Sequence, residues 1–259
     1  MPSRPTPTIF RALLLAAGLA ATAASAAAQS PTGGTLPPVD DLVRYFDTIV
    51  FGSEMGPAYA STVIAKWPGD TLTVSLEQRA TPEHLGFVSA HLAALGRLTG
   101  KKFSGTKTPE SAAIRVLFLR RNEMAAIGGP NVDPQAIREA AAAGGCYFLS
   151  WKQPESRIVK AIVVVNVERD PALINSCLLE ELTQSLGLPN DSDAMRPSIF
   201  SDRDHLSELS PHDAILVRTL YDPRMKAGLP RAAALGVART VISELAGSAR
   251  SSTSHGRGG

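Results

Sequence analysis

The residues best able to do chemistry in this 259-residue chain lie between Glu180 and Asp191. The segment reads E-E-x-x-Q-x-x-G-x-x-N-D, and apolar residues at helical spacing run through its first half. Side chains four positions apart share one face of a helix, and a glycine after a helix lets the chain reverse. We therefore expect Glu180 and Gln184 to lie together, with Asn190 or Asp191 returning towards Gln184.

The spacing is that of the zinc helix H-E-x-x-H-x-x-G-x-x-H, in which three imidazoles bind zinc and the glutamate activates a water. Here the three ligand positions hold Glu180, Gln184 and Asn190. Zinc favours His nitrogen and Cys sulfur, whereas an oxygen-only set, to which Asp191 can add, suits calcium or magnesium better. We therefore expect no metal and no cofactor, with a divalent cation as the alternative.

Glu181 keeps the position of the general base, so it is the candidate catalytic residue. Adjacent carboxylates in a closed cleft can differ in protonation. Neighbours on one helix diverge by about 100°, however, so Glu180 and Glu181 do not face each other as a two-carboxylate hydrolase requires. A further alternative is an ordinary amphipathic helix whose Glu and Gln side chains lie in water.

The N-terminus predicts export. Arg4 and Arg11 precede an uncharged, Leu- and Ala-rich run that ends in small residues, which is typical of a cleaved signal peptide over residues 1–28. The alternative, a membrane anchor, is disfavoured because about 17 residues are short for a bilayer core of roughly 30 Å. We expect a periplasmic or secreted protein with no stable membrane span in its mature form.

Charge and cysteine content restrict the function further. Without the two arginines of residues 1–28, the 24 remaining basic residues balance the 24 acidic ones, so no basic field favours nucleic acid. The two cysteines, Cys146 and Cys177, are most simply a disulfide in an oxidising compartment. A metal-thiolate pair and buried free thiols are the alternatives.

The hydrophobic pattern predicts an α/β or α+β domain over residues 39–247, between a flexible leader (29–38) and a disordered tail (248–259). Helix and strand signals alternate along the chain, and Pro-containing residues 152–157 join two strands as a hairpin. The predicted helices are 40–50, 81–98, 134–143, one beginning at 171, 211–221 and 230–245. The predicted strands are 72–76, 114–119, 146–151 and 158–167.

Two segments after the motif complete a resemblance to the metzincins. Residues 198–202 resemble the Met-turn, with Phe200 in place of methionine, and residues 209–221 resemble the helix that follows it. The chain resembles a metzincin catalytic core from about Leu72 to Tyr221. This resemblance implies a single zincin-like domain: a mixed twisted sheet packed with helices, with the motif helix under a cleft.

The chain is also similar to a bacterial secreted family known as domain of unknown function 2927. The matching segments are C-x-x-E-E-L-x-Q-x-L-G-L-x-N-D, S-I-F and L-Y-D-P-R-M. The loss of all three histidines favours a non-catalytic descendant, in which Gln184 and Asn190 form hydrogen bonds to a peptide, a glycan or an envelope protein. The alternatives are an unorthodox hydrolase with Glu181 as base, using an oxygen-ligated metal or no metal, and a purely structural envelope component.

Overall fold

Five strands form one mixed sheet. They are β1 (Thr71–Gln78), β2 (Lys102–Gly105), β3 (Ile114–Leu119), β4 (Cys146–Gln153) and β5 (Arg157–Asn166). The order is β2-β1-β3-β5-β4, in which β4 alone is antiparallel to its neighbour. β4 and β5 form the predicted hairpin. Among the described residues β4 is the last strand of the sheet, so it pairs there with β5 alone.

The computed structural model describes residues 36–255. The predicted signal peptide (1–28) and the leader up to residue 35 lie outside the described residues and stay predictions, as does the end of the tail (256–259). The described residues belong to one compact unit. Within them, no helix combines the length and the apolarity that crossing a bilayer takes.

Seven α-helices cover the two faces of the sheet in the described part of the chain. They are α1 (Val39–Phe51), α2 (Pro82–Thr99), α3 (Arg121–Met124), α4 (Pro134–Ala143), α5 (Pro171–Gln184), α6 (Pro211–Tyr221) and α7 (Arg231–His255). Alternate residues of β5 point to opposite sides: Val163 and Val165 join the main core, while Ile162 and Val164 join a smaller core under α3 and α4. The predicted α/β class, a mixed sheet packed with helices, is confirmed.

The motif helix, α5, is covered on both its apolar and its polar side. Leu178 and Leu182 are fully buried, as their spacing predicts. Glu181 and Gln184, however, are only 3% and 1% exposed. The alternative of a surface helix with its polar residues in water is therefore wrong.

Proline at the first position begins α5, as predicted, because its missing N–H would have no helical partner there. Asp170 occupies the N-cap position, but its side chain makes no capping hydrogen bond.

The predicted disulfide is confirmed: Cys146 and Cys177 are bonded, with their Cα atoms 6.0 Å apart. The bond fastens the first residue of β4 to the middle of α5. On the chain-entropy account, closing a loop of this length contributes about 3 to 4 kcal/mol.

Three elements differ from the sequence predictions. The short β2 and α3 were not predicted, since four-residue segments carry too little periodicity. The last helix, α7, continues to His255, eight residues into the segment predicted to be disordered. Within this extension of α7, Ser248 Oγ donates to the carbonyl oxygen of Glu244, four residues earlier.

Candidate functional site

A reversal of the chain follows α5, as the glycine predicted. Gly187 has a φ of 115°, and a Cβ at this position would lie 2.3 Å from the Ala65 carbonyl oxygen. Only glycine fits this backbone conformation and this close approach. The reversal returns Asp191 to the helix, where Gln184 Nε2 donates to Asp191 Oδ1 at 2.5 Å.

Asn190, the third position of the motif, lies elsewhere. Its Nδ2 donates to the carbonyl oxygens of Thr48 (3.2 Å) and Asp191 (3.0 Å). Its side chain also lies against Gly52, where an added Cβ would come within 2.6 Å of Asn190 Cγ. Asn190 therefore fastens the turn to the end of α1, and Asp191 is the residue that meets Gln184.

A cluster of carboxyl groups forms where this turn meets α5. Glu180, Asp191 and Asp202 each place an oxygen within 4.8 Å of the others. Glu180 and Asp191 are partly buried, and Asp202 is exposed. Glu181, beside them on α5, is buried, and its Oε2 has no hydrogen-bond partner among the described residues. We call Glu180, Asp191 and Asp202 the carboxylate triad.

The sequence analysis did not identify two residues of this site, Asp202 and Glu54. Asp202 ends the Met-turn-like segment, so its position after Phe200 was the available signal. Glu54 follows α1 and carries no motif; its amide donates to the Pro189 carbonyl at 3.1 Å, and its carboxyl group hydrogen-bonds Asp191. Only the fold brings Glu54 to the motif.

Burial and the closeness of several carboxyl groups raise the pKa values in this site. Burial, followed by the charges of Asp191 and Asp202, raises the pKa of Glu180 well above its usual value, and Arg169 opposes this. Burial and the neighbouring carboxyl groups likewise raise the pKa of Glu181. Burial raises the pKa of Asp191 to about 6, with Asp202 adding to the rise.

The pKa of Glu54 is raised in the same way, by desolvation of its carboxyl end and by the Asp191 charge. Together these shifts describe a site with an excess of negative charge.

Hydrogen bonds to Asp213 hold the Met-turn-like segment in place next to the site. Ser198 Oγ donates to Asp213 Oδ1 at 2.6 Å, and the Ile199 amide donates to Asp213 Oδ2 at 3.1 Å. Asp213 also completes the predicted capping of α6 by Ser210. Phe200 is fully buried and meets the Tyr45 ring edge to face. The segment therefore supports the site and does not contribute a ligand from Phe200.

A pocket of about 250 Å³ opens on the other side of Gln184. One wall is β4, from Phe148 to Lys152, and Gly187 and Pro189 close the end near α5. Its remaining lining is largely apolar and includes Met55, Tyr59, Val132 and Ile158. The C-terminal end of the motif helix thus lines a pocket beside the edge strand, in agreement with its predicted place under a cleft.

The three motif positions do not fit zinc in this chain. Gln184 turns its amide nitrogen to Asp191, and the Asn190 amide is engaged by Thr48. Among the described residues, the cluster near Glu180 contains carboxylates and neither histidine nor cysteine. The soft and borderline donors that zinc prefers are missing, so the site does not support chemistry through a zinc-bound water.

The solved structures that are similar to part of this chain include two of myroilysin. One, titled "Structure of myroilysin", is 17% identical with a TM-score of 0.36, and the match covers 62% of this chain and 98% of that one. The other, "Crystal structure of myroilysin", is 18% identical with a TM-score of 0.30, covering 60% and 58%. These similarities are too weak to assign an activity. No curated protein matches the sequence.

A family match spans most of the described domain. Residues 39–240 match the family described as "Protein of unknown function (DUF2927)". The matched range begins with α1, includes the whole sheet, the motif helix and its turn, and ends within α7. The chain therefore belongs to the DUF2927 family of proteins of unknown function.

Proposed function

We propose that this protein is an exported, non-catalytic binding protein, a pseudoenzyme of zincin-like architecture, and that it binds an extended peptide segment along β4. The observation that carries this proposal is the juxtaposition of an edge strand with a side-chain pocket. A peptide needs both: backbone hydrogen bonds for affinity and a pocket for specificity.

The edge of β4 supplies the backbone groups. Among the described residues β4 pairs with β5 alone, so its outer N–H and C=O groups face away from the sheet. An extended chain satisfies such groups by adding a further strand, and neither a globular surface nor a glycan matches their regular spacing as well.

The pocket beneath β4 supplies the side-chain selection. Its volume of about 250 Å³ suits one large apolar or aromatic side chain, given the lining by Met55, Tyr59 and Ile158. The wall is held in place because Trp151 Nε1 donates to the Pro130 carbonyl at 3.0 Å. Alternate side chains of an added strand point to one side, so one of them enters the pocket.

The burial of Glu181 away from the pocket argues against hydrolysis. A general base must lie within hydrogen-bond reach of the water or substrate it deprotonates. Glu181 is 3% exposed, and it is Gln184 that lines the pocket.

Two features support a location outside the cytoplasm. The Cys146–Cys177 disulfide is of the kind that persists in oxidising compartments. The predicted signal peptide over residues 1–28 accounts for export to the periplasm or beyond.

A randomised peptide library displayed on phage tests the proposal, followed by calorimetry on peptides synthesised from the enriched sequences. We expect enrichment of peptides with one large apolar residue. Ser150→Arg places a long side chain in the pocket and should weaken binding at least about tenfold. The matched control is Ser104→Arg, the same change on β2 at the opposite edge of the sheet, which should leave affinity unchanged.

Three outcomes would overturn the proposal. One is the absence of any enriched peptide, and another is an equal loss of binding in both arginine variants. The third is cleavage of a bound peptide, detected by mass spectrometry, that disappears in Glu181→Gln. That last result would establish the alternative, a hydrolase with Glu181 as base.

A further inference from the structure

The carboxylate triad has the dimensions of a cation site. Glu180 comes from α5, Asp191 from the turn after Gly187, and Asp202 from the end of the Met-turn-like segment. One oxygen of each lies within 4.8 Å of the others. Calcium binds oxygens at about 2.3 to 2.6 Å, so ligands around one ion lie up to about 5 Å apart.

Two buried oxygen atoms on α5, the helix that carries Glu180, lack hydrogen-bond partners among the described residues. Gln184 Oε1 and Glu181 Oε2 form no hydrogen bond among the described residues, although these residues are 1% and 3% exposed. The Gln184 amide is placed against the triad, because its nitrogen is 2.5 Å from Asp191 Oδ1. Buried oxygens without a donor are rare in folded proteins, and a water or an ion commonly satisfies them.

The surrounding charges do not neutralise the triad. Glu54 and Glu181 add two more carboxyl groups beside it. Arg169 is the cation that acts on Glu180, and its Nη1 donates to the sulfur of Cys177. The nearby Arg203 is paired with Asp193. An excess of partly buried carboxylates is stabilised most directly by a bound cation.

We propose that Glu180, Asp191 and Asp202 bind one hard divalent cation, with calcium preferred, and that Gln184 Oε1 completes the protein ligands. Calcium accepts carboxylate and amide oxygens in flexible geometry, whereas magnesium demands a near-ideal octahedron. Because Asp202 is exposed, the ion enters from solvent and keeps water on that side. The site differs from a zinc helix in its donors: all of them are oxygens, and Asp191 and Asp202 take part whereas Asn190 does not.

The site has a structural consequence. A cation at the triad joins the motif helix, the turn after Gly187 and the Met-turn-like segment. It would also hold the α5 end of the peptide pocket in place, because Gln184 lines that pocket. The proposal does not depend on peptide binding.

Calorimetric titration of chelator-treated protein with calcium, magnesium, manganese and zinc chlorides tests the site directly. We expect one calcium per chain, with a dissociation constant in the range of about 10⁻⁴ to 10⁻³ M that extracellular sites show, and a higher thermal midpoint on binding. Asp202→Asn should weaken calcium binding at least about tenfold without affecting the fold, because Asp202 is exposed. Asp191→Asn should do the same.

The matched control is Asp193→Asn, which removes a carboxylate two residues from Asp191 that is already paired with Arg203 and should leave calcium affinity unchanged. Circular dichroism verifies that each variant is folded. The absence of calcium or manganese binding up to about 10 mM, well above the expected range, would overturn the proposal. So would an equal loss in Asp193→Asn, or zinc binding that survives both triad variants.

Discussion

Replacing Asp191 with asparagine should make the stability of the metal-free protein less sensitive to pH. Asparagine keeps an oxygen that can accept the hydrogen bond from Gln184 Nε2, but it does not ionise. In the wild-type protein, burial raises the pKa of Asp191 from 3.8 to about 6, and the Asp202 charge adds to the rise. The folded protein therefore holds a proton at pH values where the unfolded chain has released it.

The sign and size follow from the number of bound protons. Between about pH 4 and pH 6 the native state binds more protons than the unfolded state, so stability falls as pH rises and the loss is complete above about pH 6. A difference of about 2 units between the two pKa values corresponds to about 3 kcal/mol as a ceiling. Because Asp191 shares its proton with Glu54, we expect about 1 to 3 kcal/mol.

Urea unfolding with EDTA present, followed by tryptophan fluorescence, measures this effect. The pKa values of His91 and His212 are lowered, mainly by burial, so these histidines act in the opposite direction. They are common to both proteins and cancel in the difference. From about pH 4.5 to pH 7.5 the asparagine variant should gain about 1 to 2 kcal/mol relative to wild type, with most of the gain complete by about pH 6. A difference that is constant, or that shrinks with rising pH, would refute the reasoning.

Two further predictions concern the scaffold of the site. Gly187→Ala should lower the free energy of unfolding by about 3 kcal/mol or more, since it adds a Cβ at a φ of 115° and against the Ala65 carbonyl oxygen. In Gly100→Ala, where φ is 72° and no atom lies within 4 Å of the new Cβ, the loss in the same urea assay should be only about 1 kcal/mol; equal losses would contradict the close approach. The double change Cys146→Ser with Cys177→Ser should cost about 3 kcal/mol in the same assay. Alkylation of the unreduced, unfolded wild-type protein should label neither cysteine, and two labelled thiols would contradict the disulfide.

Local signals explain which elements the sequence could predict. The bounds of α4 and α6 agree with the predictions, because each has a local boundary signal: a proline at the first helical position or a glycine after the last residue. The bounds of β3 agree because its residues form a dense apolar run of strand length. The Ser210 cap of α6 is also local, involving the amide three residues later. The disulfide was the simplest prediction for two cysteines once export was predicted, since two cysteines have one possible intramolecular pairing.

The composition of the site was decided by tertiary structure. The motif spacing located Glu180, Glu181 and Gln184 on one helix and required a turn at Gly187. It did not distinguish Asn190 from Asp191 as the residue that returns, because this depends on the packing of Asn190 against the end of α1.

The burial of the polar side of α5 and its neighbours from other chain segments could not be predicted from the sequence either. An amphipathic pattern indicates which side of a helix is polar, but only the packed neighbours decide whether that side meets water or protein. Here it meets Glu54 and Asp202, which are distant in sequence and carry no shared motif. The periodicity of a helix determines which of its residues share a face, because that depends on local geometry alone. Which charged residues contact that face depends on how separate segments of the chain pack together.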